Sequence, residues 1–304
     1  MSMSILVIGR NGQVGRELCA LGGAGDLVVE GLGRDELDIT REAEVARAIA
    51  ARRPGLVVNA AAYTAVDKAE AEPELAFAVN ASGAGAVARA CSAIGAPLVH
   101  ISTDYVFDGR KNGPYKEEDP VAPQSVYGRS KAAGEDAVRT GCAEHVILRT
   151  AWVFSPHGTN FVKTMLRLGE EREELRVVDD QRGCPTAARD IAGAIAGISR
   201  QILSGARDWP WGTYHYAGGE AVTWFGFAGA IFAERRAATG KAPPRLVPIT
   251  TADYPTPARR PANSVLDCGK AAATFGIAPS DWRGALRTTV AELCDTHSRK
   301  VSRQ

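Results

Sequence analysis

The segment Ile5-Leu-Val-Ile-Gly-Arg-Asn-Gly-Gln-Val-Gly15 decides the fold, because a short apolar run leads directly into three regularly spaced glycines. A strand, a glycine-rich turn and a helix in this order let backbone N–H groups approach a pyrophosphate at the positive end of the helix dipole. The spacing is GxxGxxG rather than GxGxxG, and such a triplet alone is equally compatible with a plain strand–helix turn. The candidate cofactor-binding residues of this turn are Gly9, Asn11, Gly12, Gln13, Val14 and Gly15.

Downstream of this segment, short apolar runs alternate with longer helical patterns. Strands are predicted near 4–9, 26–32, 55–61, 97–102 and 145–151. Helices are predicted near 13–21, 40–52, 72–94 and 125–140. This alternation is typical of a parallel sheet covered by helices on both faces. The predicted fold class is therefore α/β, with a Rossmann-type doubly wound parallel sheet.

The pattern loosens after about residue 152, and proline becomes frequent towards the C-terminus. A helix is predicted over 160–170, a strand over 176–179 and a further helix over 187–203. We place a dinucleotide-binding domain in residues 1–152, to which late strands and a helix within about 173–218 return. Residues 153–304 would form mainly a smaller, partly interleaved C-terminal α/β substrate domain.

The segment Val126-Tyr-Gly-Arg-Ser-Lys131 contains a tyrosine and a lysine four residues apart. On a helix these two side chains share one face, so the ammonium of Lys131 is expected to lower the pKa of the Tyr127 phenol from its usual value of about 10. Thr103 follows the fourth predicted strand and can reach the same carbonyl group. Thr103, Tyr127 and Lys131 are the candidate catalytic residues, with Tyr127 as a proton donor usable near neutral pH.

The end of the second predicted strand, Leu32-Gly-Arg34, bears on the choice of nucleotide. No acid stands there to bind a ribose 2′-hydroxyl, and Arg34 could pair with a 2′-phosphate. NADPH is therefore favoured, although Asp35 or Glu36 could still favour NADH. Further candidate cofactor-binding residues are Asp38 and Ile39 near the adenine, and Ala62, Tyr63 and Thr64 after the third strand. His100, inside the fourth apolar strand, is interpreted as a core residue.

Composition excludes several classes of function. Lysine plus arginine (36) nearly balances aspartate plus glutamate (35), and no run of like charges suggests a nucleic acid or a membrane surface as partner. No apolar stretch approaches the roughly 18 residues that span a bilayer. The six cysteines are widely scattered without metal-ligand spacing, which favours reduced thiols and a cytoplasmic location. A small molecule is the expected partner.

Longer motifs make the sequence more specific. They are Ser102-Thr-Asp-Tyr-Val-Phe-Asp-Gly109, Asn59-Ala-Ala-Ala-Tyr-Thr-Ala-Val-Asp-Lys-Ala-Glu70, Arg149-Thr-Ala-Trp-Val-Phe154, Asn160-Phe-Val-Lys-Thr-Met165, Asp180-Gln-Arg-Gly-Cys-Pro-Thr186 and Arg260-Pro-Ala-Asn-Ser-Val-Leu-Asp267. With the glycine turn and the Tyr–Lys pair, they resemble the extended short-chain dehydrogenase/reductase superfamily and, within it, the dTDP-4-dehydrorhamnose reductase family. The resemblance spans nearly the whole chain.

This resemblance implies reduction of dTDP-4-dehydro-β-L-rhamnose to dTDP-β-L-rhamnose by NADPH or NADH, the last step in making a rhamnose donor for polysaccharides. It implies that Tyr127 protonates the C4 oxygen, that Lys131 holds the nicotinamide ribose and that Thr103 hydrogen-bonds the same carbonyl. Asp104 and Trp152 match positions that face the sugar nucleotide. Weaker candidates for the nucleotide diphosphate are Asn160, Lys163 and Arg260.

Dehydration is disfavoured by the sequence, whereas another sugar-nucleotide reductase, an epimerase and a regulatory subunit stay open. Related dehydratases resemble this chain but carry a glutamate where Tyr105 stands, so reduction without dehydration is expected. Related epimerases share the tyrosine and the lysine. A dinucleotide-binding regulatory subunit of methionine adenosyltransferase also resembles this chain, and it would need no turnover.

Metal binding follows only from the resemblance, which allows Mg²⁺ at a carboxylate-lined subunit contact of a homodimer. Arg189 stands near a position where family members carry a glutamate, and its charge would repel a cation. We therefore expect no metal site in this chain and little dependence on magnesium.

Overall fold

The computed structural model describes residues 3–22, 26–205 and 209–301, of which 296–301 only as backbone. Its strands are β1 (Met3–Ile8), β2 (Leu27–Leu32), β3 (Leu56–Asn59), β4 (Leu98–Thr103), β5 (His145–Thr150), β6 (Val153–Phe154), β7 (Glu174–Val178), β8 (Arg182–Gly183), β9 (Thr186–Ala187), β10 (Gly212–His215), β11 (Val222–Thr223) and β12 (Arg245–Ile249). Its α-helices are α1 (Gln13–Ala20), α2 (Glu42–Arg52), α3 (Val66–Ala69), α4 (Pro73–Phe77), α5 (Ala84–Ile94), α6 (Val126–Gly141), α7 (Phe161–Glu171), α8 (Ala188–Leu203), α9 (Trp224–Thr239), α10 (Gly269–Phe275) and α11 (Trp282–Val301).

The central element is a six-stranded sheet in the order β10-β5-β4-β3-β1-β2, in which all neighbours are parallel. Alternate residues of β1 enter different cores. Ile5 and Val7 pack in a cluster with α1 and α8, whereas Leu6 and Ile8 pack in a cluster with α2 and α5. Both faces of the sheet are therefore covered, as the continuous apolar strands of the sequence indicate. The predicted doubly wound α/β fold is confirmed.

One predicted helix is irregular in the structure. The segment expected near 72–94 is divided into α4, a π-helical stretch Ala78–Gly83 and α5. Asn80, inside the π-helical stretch, is buried and hydrogen-bonds both backbone groups of Tyr63 as well as the hydroxyl of Ser130. A π-helical turn at such a place is consistent with a side chain held by long-range contacts.

A second core lies outside the main sheet. It is formed by apolar side chains of α7, α9 and α11, together with β7, which pairs with β12. Phe227 and Trp282 are at its centre, with ring centroids 5.5 Å apart. The chain crosses between the two regions more than once, since α8 packs on α1 and β10 joins the main sheet beside β5. Within the described ranges, no helix is both long and apolar enough to cross a membrane.

Candidate active site

A cleft of about 530 Å³ lies at the carboxyl ends of the parallel strands. Ligands of open α/β sheets bind at this edge. The predicted site residues that line it are Asn11, Gly12, Gln13, Val14, Ala62, Thr64, Thr103, Asp104, Tyr127, Lys131 and Trp152. The structure thus brings most of the predicted cofactor, catalytic and substrate residues to one cavity.

The turn between β1 and α1 needs glycine at two positions. Gly9 has φ +95°, and a Cβ there would lie 2.6 Å from the backbone nitrogen of Ala61. A Cβ on Gly15 would lie 2.2 Å from the carbonyl oxygen of Gly9. Gly12 differs, since a Cβ there would meet that oxygen at 3.4 Å. Gly9 and Gly15 therefore close the turn, and Gly12, at the N-terminus of α1, is the glycine that can face a ligand.

Helix α6 presents the predicted Tyr–Lys pair. It begins after Ser125, whose hydroxyl accepts a hydrogen bond from the Gly128 N–H at 3.1 Å. Tyr127 and Lys131 are both buried and line the cleft. Burial raises the pKa of Tyr127 to about 12, and hydrogen bonding with Thr103 offsets part of this rise. The prediction of a lowered phenol pKa is therefore wrong for this structure, because desolvation of the phenolate outweighs the favourable contacts.

The ammonium of Lys131 is itself shifted towards its uncharged form. Burial lowers the pKa of the Lys131 ammonium to about 8, although the charge of Glu135 opposes this shift. Its Nζ donates a hydrogen bond to the carbonyl oxygen of Ile101 at 2.7 Å and lies 3.3 Å from His100 Nε2. His100 is buried, as the sequence predicted, but it contacts a catalytic candidate, which the sequence interpretation missed.

Asp104 follows Thr103 at the end of β4 and is also buried. The Thr103 hydroxyl donates to Asp104 Oδ1 at 2.9 Å, whereas Oδ2 has no hydrogen-bond partner among the described residues. Burial raises the pKa of this carboxyl group to about 6. An orphaned, buried carboxylate oxygen in a cleft is suited to accept a hydrogen bond from a ligand hydroxyl.

A buried ion pair beneath the cleft was also missed by the sequence interpretation. Glu135 on α6 and Arg149 on β5 form two hydrogen bonds of 2.7 and 2.8 Å. Ser102 on β4 donates to the same carboxylate at 2.6 Å. Burial alone would raise the pKa of Glu135, but the contacts with Arg149 leave it lowered. Lys131 lies four residues before Glu135, on the same face of α6. The hydrogen bonds of Glu135 with Ser102 and Arg149 therefore hold the helix that carries the catalytic candidates against β4 and β5.

A second cavity, of about 700 Å³, adjoins the cleft at Tyr105, which lines both. It lies between α7, β7 and the segment near residue 260. Three arginines line it, namely Arg172, Arg176 and Arg260. Arg260 is held by Asp67 through two hydrogen bonds of 2.8 and 3.1 Å.

Trp152 separates the two cavities. Its ring stacks on Trp224, with centroids 3.4 Å apart and planes 5° from parallel. Its backbone has φ +47°, which is uncommon for a bulky residue. Gly183 permits this placement, because a Cβ there would lie 2.3 Å from the Trp152 ring. Trp152 thus lines the predicted cleft while Trp224, which the sequence interpretation missed, lines the second cavity.

Some predicted residues lie outside the lining of the cleft. Ile39 is buried in the core, and Tyr63 hydrogen-bonds Glu72 through its hydroxyl at 2.7 Å. Arg34 is exposed near the end of β2, and its charge contributes to a lowered pKa of Asp38 after the larger effect of hydrogen bonds from Thr40.

Two weaker candidates have structural contacts. Asn160 accepts a hydrogen bond from the Lys163 N–H at 3.1 Å as the cap of α7. Its amide also donates to Gln13 Oε1 at 2.8 Å, which joins α7 to α1. The Lys163 ammonium donates to the carbonyl oxygen of Pro156 at 3.1 Å. Asn160 therefore lies in the cleft, whereas Lys163 points to another surface.

Over the described ranges, no three histidine, cysteine, aspartate or glutamate side chains come together as metal ligands. Arg189, which the sequence interpretation places where relatives carry a glutamate, forms an ion pair with Glu292 at 3.4 Å.

Comparisons with known proteins agree with this arrangement. The family model described as "RmlD substrate binding domain" matches residues 3–294. The dTDP-4-dehydrorhamnose reductase of Burkholderia thailandensis is 48% identical over 299 residues, which cover 96% of this chain and 99% of that protein. The solved structure of a dTDP-4-dehydrorhamnose reductase from Clostridium acetobutylicum has a TM-score of 0.88 and 38% identity, covering 95% of this chain and 99% of that one.

A dTDP-4-dehydrorhamnose reductase from Bacillus anthracis, solved in complex with NADP, has a TM-score of 0.87 and 36% identity, covering 96% of this chain and 100% of that one. The family model and these relatives each match nearly the full length of the chain. The family assignment therefore depends on the whole chain rather than on one motif. Together with the cleft described above, they establish that this chain belongs to the dTDP-4-dehydrorhamnose reductase family.

Proposed function

We propose that this chain reduces dTDP-4-dehydro-β-L-rhamnose to dTDP-β-L-rhamnose with NADPH, as the last step of dTDP-L-rhamnose synthesis. The observation that carries the proposal is that Thr103, Tyr127 and Lys131 line one cleft. The floor of that cleft is a glycine turn, and the cleft adjoins an arginine-lined cavity at Tyr105. A dinucleotide and a nucleotide-sugar can thus meet at one end of the sheet.

The residues of the cleft fit a nicotinamide dinucleotide. The backbone around Gly12 is open enough for a pyrophosphate, because Gly9 and Gly15 let the turn close behind it. Ala62 and Thr64 leave room along the edge of the sheet, and the bound cofactor would supply the hydride. NADPH is favoured because a family member was solved with NADP. Arg34 is exposed near the end of β2, where a cation can reach a 2′-phosphate.

Tyr127 would donate its phenolic proton to the C4 oxygen of the sugar. A phenol whose pKa is raised to about 12 is protonated throughout the neutral range, so the acid form is always present. Thr103 donates to Asp104 Oδ1 in this structure, and rotation of its hydroxyl would direct that proton to the same C4 oxygen. Asp104 Oδ2 would then accept a hydrogen bond from a sugar hydroxyl.

The second cavity would hold the nucleoside diphosphate. Arg260 is the best-placed cation, because its bidentate contact with Asp67 fixes its guanidinium at the cavity wall. Trp224 and Tyr254 provide flat aromatic surfaces on which a base can stack. Trp152, between the cavities, would contact the sugar.

Dehydration is disfavoured by the residue at position 105. Tyr105 packs edge-to-face on Tyr127, with ring centroids 5.4 Å apart, and burial raises the pKa of its phenol. A phenol that is harder to ionise than usual is a poor base for removing a carbon-bound proton. Reduction without dehydration is therefore the reaction that this cleft supports.

The test is NADPH oxidation, followed by absorbance, on addition of dTDP-4-dehydro-β-L-rhamnose made in situ. Tyr127→Phe should lower kcat by about 10²–10⁴-fold, because the proton donor is lost, while NADPH binding persists. Tyr105→Phe is the matched control, since it removes a hydroxyl from the neighbouring ring. It should retain kcat within about tenfold.

Turnover by the intact protein that Tyr127→Phe lacks would support the reductase. Equal loss in both variants would argue against Tyr127 as the proton donor. Tight NADPH binding with no oxidation would favour the dinucleotide-binding regulatory subunit instead, and hydride-neutral isomerisation of the sugar would favour an epimerase.

The domain limits and the cellular setting are further parts of this proposal. Residues 1–152 with α8 and β10 would form the dinucleotide-binding domain, and the rest of the chain the substrate domain. Cys19, Cys91, Cys142, Cys184 and Cys268 are free thiols, which suits a cytoplasmic location. A homodimer remains a prediction, to be checked by light scattering.

A further inference from the structure

A line of buried polar side chains connects the turn after β3 with Lys131. Asn59, His100 and Lys131 are exposed by 0%, 1% and 2%. Asn59 Nδ2 lies 3.2 Å from His100 Nδ1, and His100 Nε2 lies 3.3 Å from Lys131 Nζ. At the other end, the backbone N–H of Ala61 donates to Asn59 Oδ1 at 3.2 Å. The catalytic lysine is thus linked to a backbone group through two side chains.

The backbone group fixes the direction of this chain of hydrogen bonds. A backbone N–H can only donate, so the Asn59 oxygen faces Ala61 and the Asn59 amide NH₂ faces His100. Because the NH₂ also only donates, His100 Nδ1 must accept, and the neutral imidazole carries its proton on Nε2. Burial lowers the pKa of His100 well below its ordinary value and keeps it neutral. The Nε2–H therefore points at Lys131.

The form of Lys131 that completes the chain is the amine. An ammonium has three donors and no acceptor, whereas an amine keeps one lone pair that can accept from His100 Nε2–H. Its remaining hydrogens still donate to the Ile101 carbonyl. With an ammonium, two donors would face each other in a buried place, which is unfavourable. We propose that Asn59 and His100 are positioning residues that favour the neutral amine of Lys131 through a one-way chain of hydrogen bonds.

The other ionisable groups near Lys131 do not reverse this preference. Those around it are Tyr127 and Glu135 on its own helix, His100 and Asp104 at β4 and its end, and Arg149 and His145 on β5. The attraction of Glu135 favours the ammonium, but its carboxylate already accepts hydrogen bonds from Ser102, Arg149 and Arg139. Burial is the larger effect on Lys131 and acts in the same direction as the hydrogen-bond chain.

This inference concerns a protonation state, and only its consequence for catalysis rests on the proposed function. A lysine that is partly neutral lowers the pKa of Tyr127 less than a permanent cation would, which agrees with the raised pKa of that phenol. Its single lone pair is then occupied by His100 Nε2–H, so the amine offers only N–H donors to a ligand in the cleft. Asn59 and His100 would thereby tune the group that faces the ribose.

The experiment measures the pKa of Lys131 in the full chain, by NMR titration of protein labelled with ¹³C at the lysine ε-carbons. The Lys131 signal is identified by its absence from Lys131→Met. His100→Leu removes the Nε2–H while it keeps the site apolar and buried, so the pKa of Lys131 should rise by about one unit. Asn59→Leu removes the donor that faces Nδ1, so His100 can carry its proton there. This variant should therefore also raise the pKa of Lys131.

His145→Leu is the matched control. His145 is a buried histidine on the neighbouring strand that bonds the Cys142 carbonyl instead of Lys131. This variant should leave the pKa of Lys131 within about 0.3 units. A purely structural role of His100 would lower the Tm of His100→Leu and leave the pKa of Lys131 unchanged.

An unchanged or lowered pKa in His100→Leu would overturn the proposal, because it would mean that Nε2 accepts from an ammonium or only fills space. If His100→Leu does not fold, Asn59→Leu provides the test: a raised pKa of Lys131 would support the proposal, and an unchanged or lowered pKa would overturn it. No sugar substrate enters the measurement, so its result is independent of whether the chain proves to be a reductase.

Discussion

At the scale of single residues, burial sets the acid–base character of the cleft. It raises the pKa values of Tyr127 and Asp104 and lowers that of Lys131, in each case towards the uncharged form. Near neutral pH the shifts of Asp104 and Lys131 carry a free-energy cost in the folded protein, because both groups are charged in the unfolded chain, whereas Tyr127 is protonated in both states. The catalytic groups are therefore expected to contribute little to stability, or to oppose it.

Asp104 gives the clearest test of that cost. Its carboxyl pKa is about 6 in the folded protein and close to 4 when unfolded, so the folded state binds the proton more tightly. The contribution of Asp104 to the free energy of unfolding is therefore fully present below about pH 4 and is lost as the pH rises through about 6. Asp104→Asn cannot ionise, so its free energy of unfolding at pH 8 should exceed the wild-type value by about 1–3 kcal/mol.

Urea unfolding at pH 4 and pH 8 checks this prediction. The difference in the free energy of unfolding between Asp104→Asn and the wild type should approach zero at pH 4, where the wild-type carboxyl group is largely protonated in the folded protein. Its kcat/KM should fall by about tenfold or more, since an acceptor for a sugar hydroxyl becomes a donor. A variant that is less stable than wild type at pH 8 would contradict the assigned cost.

At the scale of elements, β4 and α6 face each other through two matched pairs of polar side chains. His100 and Ser102 lie two residues apart on one face of the strand, and Lys131 and Glu135 lie four apart on one face of the helix. His100 meets Lys131, and Ser102 donates to Glu135. The ion pair of Glu135 with Arg149 then ties the same helix to β5. The orientation of the Tyr–Lys pair thus depends on groups behind it.

The turn between β1 and α1 allows its two functions to be separated. In Gly15→Ala, the new methyl group meets the Gly9 carbonyl oxygen, so the free energy of unfolding should fall by about 1–3 kcal/mol. In Gly12→Ala the methyl group has ordinary clearance within the protein, and stability should change by less than about 1 kcal/mol. The Gly12 methyl group should instead weaken NADPH binding, because it occupies the approach of the pyrophosphate.

Denaturation curves and NADPH titrations of the two variants provide the measurement, and each variant serves as the control for the other. Gly12→Ala with wild-type affinity for NADPH would show that the pyrophosphate does not pass over this residue.

The pattern of the sequence was sufficient for the elements but not for all contacts between them. Periodicity located β1 to β5 and α6 within a few residues, because continuous apolar strands and amphipathic helices leave a regular signal. The role of His100 left a weaker trace, its spacing of two from Ser102, and was interpreted only as burial. Gly183 stood inside a quoted motif without an assigned role, and Trp224 left no signal at all, since both meet Trp152 from distant positions in the chain. Such contacts depend on tertiary packing.

At the scale of the whole molecule, the two regions are joined by a few long-range polar contacts around the cleft. Gln13 accepts hydrogen bonds from Asn160 and Ser155, which connect α1 with the entrance to α7. Asp67, in α3, holds Arg260 from the C-terminal part of the chain. Both contacts lie at the walls of the cavities, so the relative placement of the two regions and the shape of the site are determined together.

The Asp67–Arg260 contact tests this coupling. The pair is partly exposed, so Asp67→Asn should change the free energy of unfolding by less than about 1 kcal/mol. It should raise KM for the sugar nucleotide several-fold, because Arg260 is no longer held at the wall of the second cavity, while KM for NADPH stays unchanged. Steady-state kinetics with each substrate varied in turn provide the measurement.

Glu220→Gln is the control, since it disrupts an exposed ion pair with Arg283 that lies outside both cavities. It should leave both KM values unchanged. A rise in KM for NADPH in Asp67→Asn would mean that the contact supports the cleft itself rather than the second cavity.

The stacked rings of Trp152 and Trp224 give the molecule an optical property. Two indoles 3.4 Å apart and nearly parallel are close enough for their electronic transitions to couple. Coupled transitions of this kind produce a paired circular dichroism band that depends on the angle and distance between the rings. Trp152 borders the cleft and Trp224 borders the second cavity. Any ligand that separates or rotates the two rings therefore changes that band. The protein therefore carries its own spectroscopic reporter of occupancy at the wall between the two cavities, with no added label.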